Sequence, residues 1–323
     1  MTTIYYESDA DPSSLDGQRV GVVGYGNQGR CWALNLRDSG IDVSVHVRRD
    51  ETREQAEADG FAARDLDEAT DTDVLCILVP DDVIPHLPLS RRDDSLTIIA
   101  SGYSAGFGRF APAGDLGMIA PRMLGPEVRR CYEEGVGFIT AIGMQTDATG
   151  TGLSRTLAIA KAMGGLKQGG IGMTPHQEAV LDLGVEQVLS PALSFVNENF
   201  VRVMSEHGIP FEAILCELFY SGEVERSYRL LREVGYVGQF GFHSPASQYG
   251  QLSRRGRFNH LEALDVMREL TDAIANGAFA DEWDAEAAQG MPTLEALKER
   301  HAGEIVASVF ENLQSALGPN AKR

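Results

Sequence analysis

The segment Gly24-Tyr25-Gly26-Asn27-Gln28-Gly29 directly follows the apolar strand Val20-Gly21-Val22-Val23 and opens a helix. A G-x-G-x-x-G in this strand–turn–helix setting restricts the fold more than any other feature, because it marks a Rossmann-type dinucleotide site. The first glycine permits the tight turn, the second lets backbone amides approach a pyrophosphate, and the third allows close helix–strand packing. The helix N-terminus adds free N–H groups and partial positive charge for the phosphates. With 35 glycines in the chain, the competing reading is a glycine-rich turn that binds nothing. The flanking strand and helix favour the dinucleotide.

The pattern around this turn alternates strand and helix up to about residue 172. Arg19–Val23, Asp42–Val47 and Asp73–Pro80 are predicted strands, the last almost wholly apolar, as in a parallel strand buried on both faces. Ser95–Ala100, Leu116–Ala120 and Gly137–Ile142 are further strands, with helices over Gln28–Ser39 and Thr52–Asp59. This order implies a doubly wound parallel sheet with right-handed crossovers. The glycine-rich passage Gly164–Gly170 marks a boundary, giving a Rossmann domain over 1–172 and an all-helical domain over 173–323. Gln177–Asn199, Pro210–Val234 and Asn259–Ala278 carry apolar residues at helical spacing there, and Gly318–Arg323 reads as a frayed tail.

Composition narrows the function class. A net charge of -19 would repel nucleic acid phosphates. The segment Met1–Asp9 lacks a basic and apolar leader, and no uninterrupted apolar run reaches the roughly 18 residues of a membrane span. Cys31, Cys76, Cys131 and Cys216 lie far apart, as reduced thiols do in a cytoplasmic protein. The partner expected is a small-molecule substrate, with neither nucleic acid nor membrane.

The second strand ends in His46-Val47-Arg48-Arg49-Asp50-Glu51-Thr52. Dinucleotide enzymes that prefer NAD usually place a carboxylate here. Arg48 and Arg49, with Thr52 after them, instead suit a 2′-phosphate, because guanidinium matches phosphate with paired donors. Asp50 and Glu51 beside them oppose it. NADPH is expected, with NADH as the alternative.

Glu178, Asp182 and Glu186 recur every four residues on a predicted helix and share one face. Like charges at this spacing repel, so either solvent or a cation must compensate them, and hard oxygens on adjacent turns suit Mg²⁺. Gly184 inside the helix costs about 1 kcal/mol relative to Ala, which points to close packing there. Glu217, with Glu223 and Glu225, forms a second acidic group.

These residues, together with Ile4-Tyr5-Tyr6, Ala33–Gly40, Leu78-Val79-Pro80-Asp81, Ala120-Pro121, Leu181-Asp182-Leu183, Glu186-Gln187, Tyr249-Gly250, Gly277–Ala280 and Glu282-Trp283, resemble ketol-acid reductoisomerase of the short bacterial class over nearly the whole chain. The resemblance implies a Rossmann domain that binds NADPH and a knotted helical domain. That helical domain supplies carboxylates for two Mg²⁺ ions, in a site completed by the partner subunit of a homodimer. It implies an enzyme that moves an alkyl group within an acetohydroxy acid and then reduces the resulting ketone. Carried over, Asp182 is the carboxylate bridging both metals, Glu186 a ligand of the first and Glu217 of the second. The resemblance also places Ser244 near the substrate carboxylate; Pro80 and Ser101 are expected by the cofactor, and Ser221 by the substrate.

Three departures stand out. Ser101, in Ala100-Ser101-Gly102-Tyr103, replaces the family's histidine, and Arg122, in Ala120-Pro121-Arg122-Met123, replaces its lysine. Ser221 replaces the other glutamate of the second metal. Serine is no base near neutral pH, and arginine keeps its proton. Migration needs a polarised ketone and a deprotonated alcohol, a task for two metals about 3.5–4 Å apart. Hydride transfer needs less. The expectation is therefore a reductase on this scaffold acting on a C=O or C=N bond. Asp182, Glu186 and Glu217 would hold one metal or a cationic substrate, Arg122 an anionic group, and Tyr103 would be a proton donor or an aromatic packed by the nicotinamide. The alternatives are an authentic reductoisomerase of branched-chain amino-acid synthesis and a non-catalytic dinucleotide-binding protein.

Overall fold

The computed structural model describes residues 2–258 and 263–302, so residues 259–262 of the last predicted helix and the tail 318–323 lie outside the described residues. Two compact units divide at Leu183/Gly184.

The first unit is built on nine strands: β1 (Ile4–Tyr5), β2 (Val20–Val23), β3 (Val43–His46), β4 (Ala63–Arg64), β5 (Val74–Ile77), β6 (Leu96–Ile99), β7 (Asp115–Pro121), β8 (Thr140–Thr146) and β9 (Gly170–Gly172). They form one sheet in the order β1-β9-β8-β7-β6-β5-β2-β3-β4. Its helices are α1 (Asn27–Asp38), α2 (Glu51–Ala58), α3 (Tyr103–Gly106), α4 (Gly125–Glu133), α5 (Gly152–Ala162) and α6 (Pro175–Gly184). Every residue of β2, β5 and β6 is buried, which explains their almost wholly apolar sequences, Thr97 of β6 being the polar exception. Trp32 and Leu36 of α1 pack into the core beneath β2 and β3.

The chain builds β3 and β4 on one side of β2, then crosses to build β5, β6 and β7 on the other. That reversal is the topological switch point, and ligands of such sheets bind outside the carboxyl ends of the strands there. The sheet is not wholly parallel. The Arg122 N–H donates to the Ile139 carbonyl at 3.0 Å, so β8 begins where β7 ends and runs back antiparallel to it. β1 adds an antiparallel edge to β9.

The second unit is helical: α7 (Ser190–Glu206), α8 (Phe211–Leu215), α9 (Glu223–Gly238), α10 (Pro245–Arg254), α11 (Ala263–Ala275), α12 (Ala278–Ala288) and α13 (Pro292–Ala302). The single helix expected over 210–234 is broken, because Gly222 takes φ 74° between α8 and α9. Two π-helical turns, Val185–Leu189 and Cys216–Tyr220, precede α7 and follow α8. Gly184 adjoins the first of them. A Cβ there would meet nothing within 4 Å, so it marks a change of helical pitch and not the close packing expected of it.

The helical stretch Pro175–Glu206 contains an 18-residue window of mean hydropathy 1.4 of which 6% is buried within the chain, so by length and composition it is apolar enough to cross a membrane. Glu178, Asp182, Glu186 and Glu198 interrupt the stretch, so it holds no uninterrupted apolar run of that length, and the window average alone is weak evidence of a membrane span.

Candidate active site

The glycine-rich turn is shaped for a ligand. Gly24 has φ +90°, and a Cβ there would lie 2.5 Å from the Leu78 carbonyl oxygen. At Gly29 a Cβ would overlap the Gly24 carbonyl, whereas at Gly26 it would meet nothing within 4 Å. Turn, helix packing and open approach therefore fall to separate glycines, as a pyrophosphate site requires. Tyr25 is buried, edge-on to Phe61, and donates to Asp59 Oδ2 at 3.0 Å; burial raises its phenol pKa. Gln28 donates to the Met123 carbonyl at 3.1 Å and accepts from Trp32 Nε1 at 3.2 Å. These two side chains brace the turn. The backbone N–H groups from Gly26 and Asn27 onward, at the start of α1, are left as phosphate donors. The residues present fit a dinucleotide.

At the end of β3, Arg48 pairs with Asp50 at 3.2 Å and Arg49 with Asp65 at 2.6 Å. Asp50 caps α2, accepting from the Thr52 N–H at 3.1 Å and from its hydroxyl at 2.6 Å.

At the carboxyl ends of β5, β6 and β7 stand Pro80-Asp81, Ser101-Gly102-Tyr103 and Arg122. α6 packs onto them. A Cβ on Gly102 would overlap the Pro175 carbonyl, and the Gly102 N–H donates to Glu178 Oε2 at 2.7 Å. Arg122 lies between two carboxylates: Nη1 donates to Glu178 Oε1 at 2.5 Å and Nη2 to Asp182 Oδ1 at 2.6 Å. A cation, not solvent, therefore compensates this part of the acidic stripe. Glu178 is only 2% exposed, and burial raises its pKa against the opposing Gly102 N–H and Arg122. The protein itself supplies the anionic partner that the sequence leads one to expect for Arg122.

Ser101 Oγ accepts from the Tyr103 N–H at 3.1 Å. Tyr103 is buried, with its ring edge-on to Phe107 at 5.3 Å. Asp81 accepts from Ser104 Oγ at 3.2 Å. Burial pushes its carboxyl up to about 6, opposed by hydrogen bonds from Ser104 and Ser101 and assisted by the charges of Asp82 and Asp182. Sequence reasoning assigned no role to Asp81, and it read Glu178 only as part of the acidic stripe, not as the buried partner of Arg122. The available signal was a carboxylate directly after the proline that ends a buried strand, and one aligned with Asp182 a turn earlier.

In the helical unit, Glu186 and Glu217 each occupy a π-helical turn, a feature frequent at functional sites. Ser221 Oγ donates to the Glu217 carbonyl at 2.8 Å and accepts from the Glu223 N–H at 3.2 Å, so it works as a local cap at the start of α9. Ser244 Oγ accepts from the Ser247 N–H at 3.3 Å at the start of α10. Among the described residues of one chain, no three His, Cys, Asp or Glu side chains gather closely enough to hold a metal ion. Asp182 nevertheless keeps Oδ2 outside any hydrogen bond to the described residues, and hard oxygen donors of this kind fit Mg²⁺.

Comparison with known proteins gives one consistent result. Residues 14–169 match the family profile "Acetohydroxy acid isomeroreductase, NADPH-binding domain", and residues 176–317 match "Ketol-acid reductoisomerase, C-terminal domain". The chain is 35% identical to the ketol-acid reductoisomerase (NADP(+)) of Caldivirga maquilingensis, over 91% of this chain and 92% of that one. It is 32% identical to the ketol-acid reductoisomerase (NAD(P)(+)) of Metallosphaera sedula, over 91% and 90%. Its fold is similar to that of an NADH-preferring ketol-acid reductoisomerase from an uncultured archaeon, with TM-score 0.89 at 29% identity, covering 98% of this chain and all of the other.

Proposed function

The chain belongs to the ketol-acid reductoisomerase family, and from that premise we propose that it is a reductase that has given up alkyl migration. Its substrate is a small molecule with a C=O or C=N bond. The domain match and the relatives' names support NADPH as donor, with NADH as the alternative.

The observation that carries this reading is the Arg122 guanidinium, held between Glu178 and Asp182. Arginine does not give up a proton near neutral pH, so the position cannot shuttle one during migration. Ser101 likewise supplies no base where the resemblance puts a histidine, and Ser221 no carboxylate where it puts a metal ligand. Two carboxylates around one guanidinium leave the cluster net anionic, which suits a cationic group such as an iminium, or a divalent ion. Asp182, Glu186 and Glu217 are the residues proposed to hold one Mg²⁺, which would polarise the bond to be reduced.

The cofactor supplies the hydride to the accepting carbon. The chain's own residues do the rest. The Gly24–Gly29 turn and the start of α1 hold the pyrophosphate, while Pro80 and Ser101 flank the nicotinamide side of the crevice. Asp81 and Tyr103 are the protic side chains at the strand ends. Asp81 is the better donor to the product heteroatom, because its carboxyl is pushed up to about 6. Ser221 and Ser244, at the starts of α9 and α10, are assigned to the substrate.

We assign the active form to a homodimer or a higher homo-oligomer. α7 exposes Leu193, Phe195, Val196, Phe200 and Val203, and among described residues beyond Leu183 the buried apolar side chains are only Ile214, Leu215, Leu230, Ile274 and Ala280. A helical unit this poor in core needs apolar cover from outside, and a second copy of α7 offers it.

The relatives' names and the uncommitted Asp182 Oδ2 favour one second reading, an authentic reductoisomerase. Turnover of the rearranged 2-keto acid without turnover of its acetohydroxy-acid precursor separates the two.

A further inference from the structure

We propose that Asp65, outside the β3–α2 loop, sets the balance between NADPH and NADH by competing with the 2′-phosphate for Arg49 and Arg53. The proposal rests on the dinucleotide site alone and is independent of the reaction.

The juxtaposition follows from the sheet. β3 and β4 are parallel neighbours, with Val45 opposite Ala63 and His46 opposite Arg64. The loop after β3 and Asp65 after β4 therefore leave the same edge at the carboxyl end. In this fold the 2′ position of the adenosine ribose lies at the end of the second strand. Two guanidinia converge there on one carboxylate. Arg49 donates to Asp65 through Nη2 at 2.6 Å and Nε at 3.3 Å, and Arg53 donates through Nη2 at 2.5 Å. Arg48 meets Asp50, whose carboxylate also takes both donors of Thr52. Each arginine on this rim thus already faces an anion. The Asp65 carboxyl is held below the usual carboxylate range by the Arg49 hydrogen bond first, so it is ionised at neutral pH.

Asp65 is also fixed in place. Its N–H donates to Glu68 Oε1 at 3.0 Å, and its carbonyl accepts from His46 Nδ1 at 3.2 Å. His46 is fully buried, and burial lowers its pKa, so it is neutral with Nε2 accepting from Ser44 Oγ at 2.9 Å. The carboxylate is therefore presented from a rigid backbone, whereas the Arg49 side chain is 79% exposed and free to turn. A 2′-phosphate, with up to two charges and three acceptor oxygens, wins the arginines only by displacing this carboxylate and lying near it. NADH meets no such competition.

The test is binding of NADPH, NADH, 2′,5′-ADP and ADP to the full-length protein, wild type and Asp65→Asn, by calorimetry. Asparagine keeps the shape and leaves the backbone bonds to Glu68 and His46 in place. Asp65→Asn is expected to tighten NADPH and 2′,5′-ADP by about fivefold, the scale of one exposed ion pair, and to move NADH and ADP less than twofold. The gain should shrink at high salt. Arg49→Gln reads the same contact from the other side and should weaken NADPH and 2′,5′-ADP only. An unchanged NADPH-to-NADH ratio in both variants, or equal shifts for ADP and 2′,5′-ADP, would overturn the proposal.

Discussion

Arg122 Nη1 donates to Glu178 Oε1 at 2.5 Å, and the Glu178 side chain it neutralises is 3% exposed. Removing the guanidinium would leave a buried carboxylate without its charge partner, a loss of about 3–5 kcal/mol. Arg122→Met is expected to fall in that range by urea unfolding at pH 7. The double variant Arg122→Met with Glu178→Gln should recover most of it. Equal stability of Arg122→Met and wild type would show that the pair is not coupled.

Asp81 gives a pH signature. Its folded pKa of about 6 lies above the ordinary 3.8, so between these values the native state holds a proton that the unfolded state has released. Stability from this group therefore falls as pH rises from about 4 to about 6, by at most about 3 kcal/mol. Asp81→Asn should stabilise the metal-free protein at pH 7.5 and change it little at pH 4.5. A gain that is the same at both pH values would contradict the assignment.

The glycines of the dinucleotide turn are expected to separate stability from binding. Gly26→Ala places a Cβ where nothing lies within 4 Å, so its melting temperature should match wild type while NADPH affinity drops at least about tenfold. Gly29→Ala forces a Cβ into the Gly24 carbonyl and should lower stability by about 1–3 kcal/mol. Loss of stability in Gly26→Ala would mean that the open space belongs to the fold and not to a ligand.

Phe195, 64% exposed on α7, probes the proposed pairing of copies. Light scattering should give the mass of a dimer or larger assembly for the wild type, and Phe195→Glu should shift it towards one chain. A monomeric wild type would remove the apolar face as an interface.

The strand–turn–helix carrying Gly24, Gly26 and Gly29 was legible because each glycine has its own steric cause and the strands around it are buried on both faces. The reversed β8 was not legible, because strand direction depends on where α4 returns the chain and not on local pattern. The same limit applies to Arg122. Sequence identifies a cation where the family has another, but its two partners are set by α6 folding onto the ends of β6 and β7. Spacing alone put Glu178 and Asp182 on one face without showing that one is buried and the other is not. Arg48 and Arg49 read as phosphate ligands for a similar reason, since Asp65 meets Arg49 only through the pairing of β3 with β4.

The most direct test of the central claim is oxidation of NADPH and NADH with 2-acetolactate and, separately, with 3-hydroxy-3-methyl-2-ketobutyrate, each with and without Mg²⁺. The account predicts turnover of the rearranged ketone, or of another carbonyl or imine, and none of 2-acetolactate under any condition. Mg²⁺-dependent turnover of 2-acetolactate would contradict it, because migration would then proceed with Ser101, Arg122 and Ser221 in place.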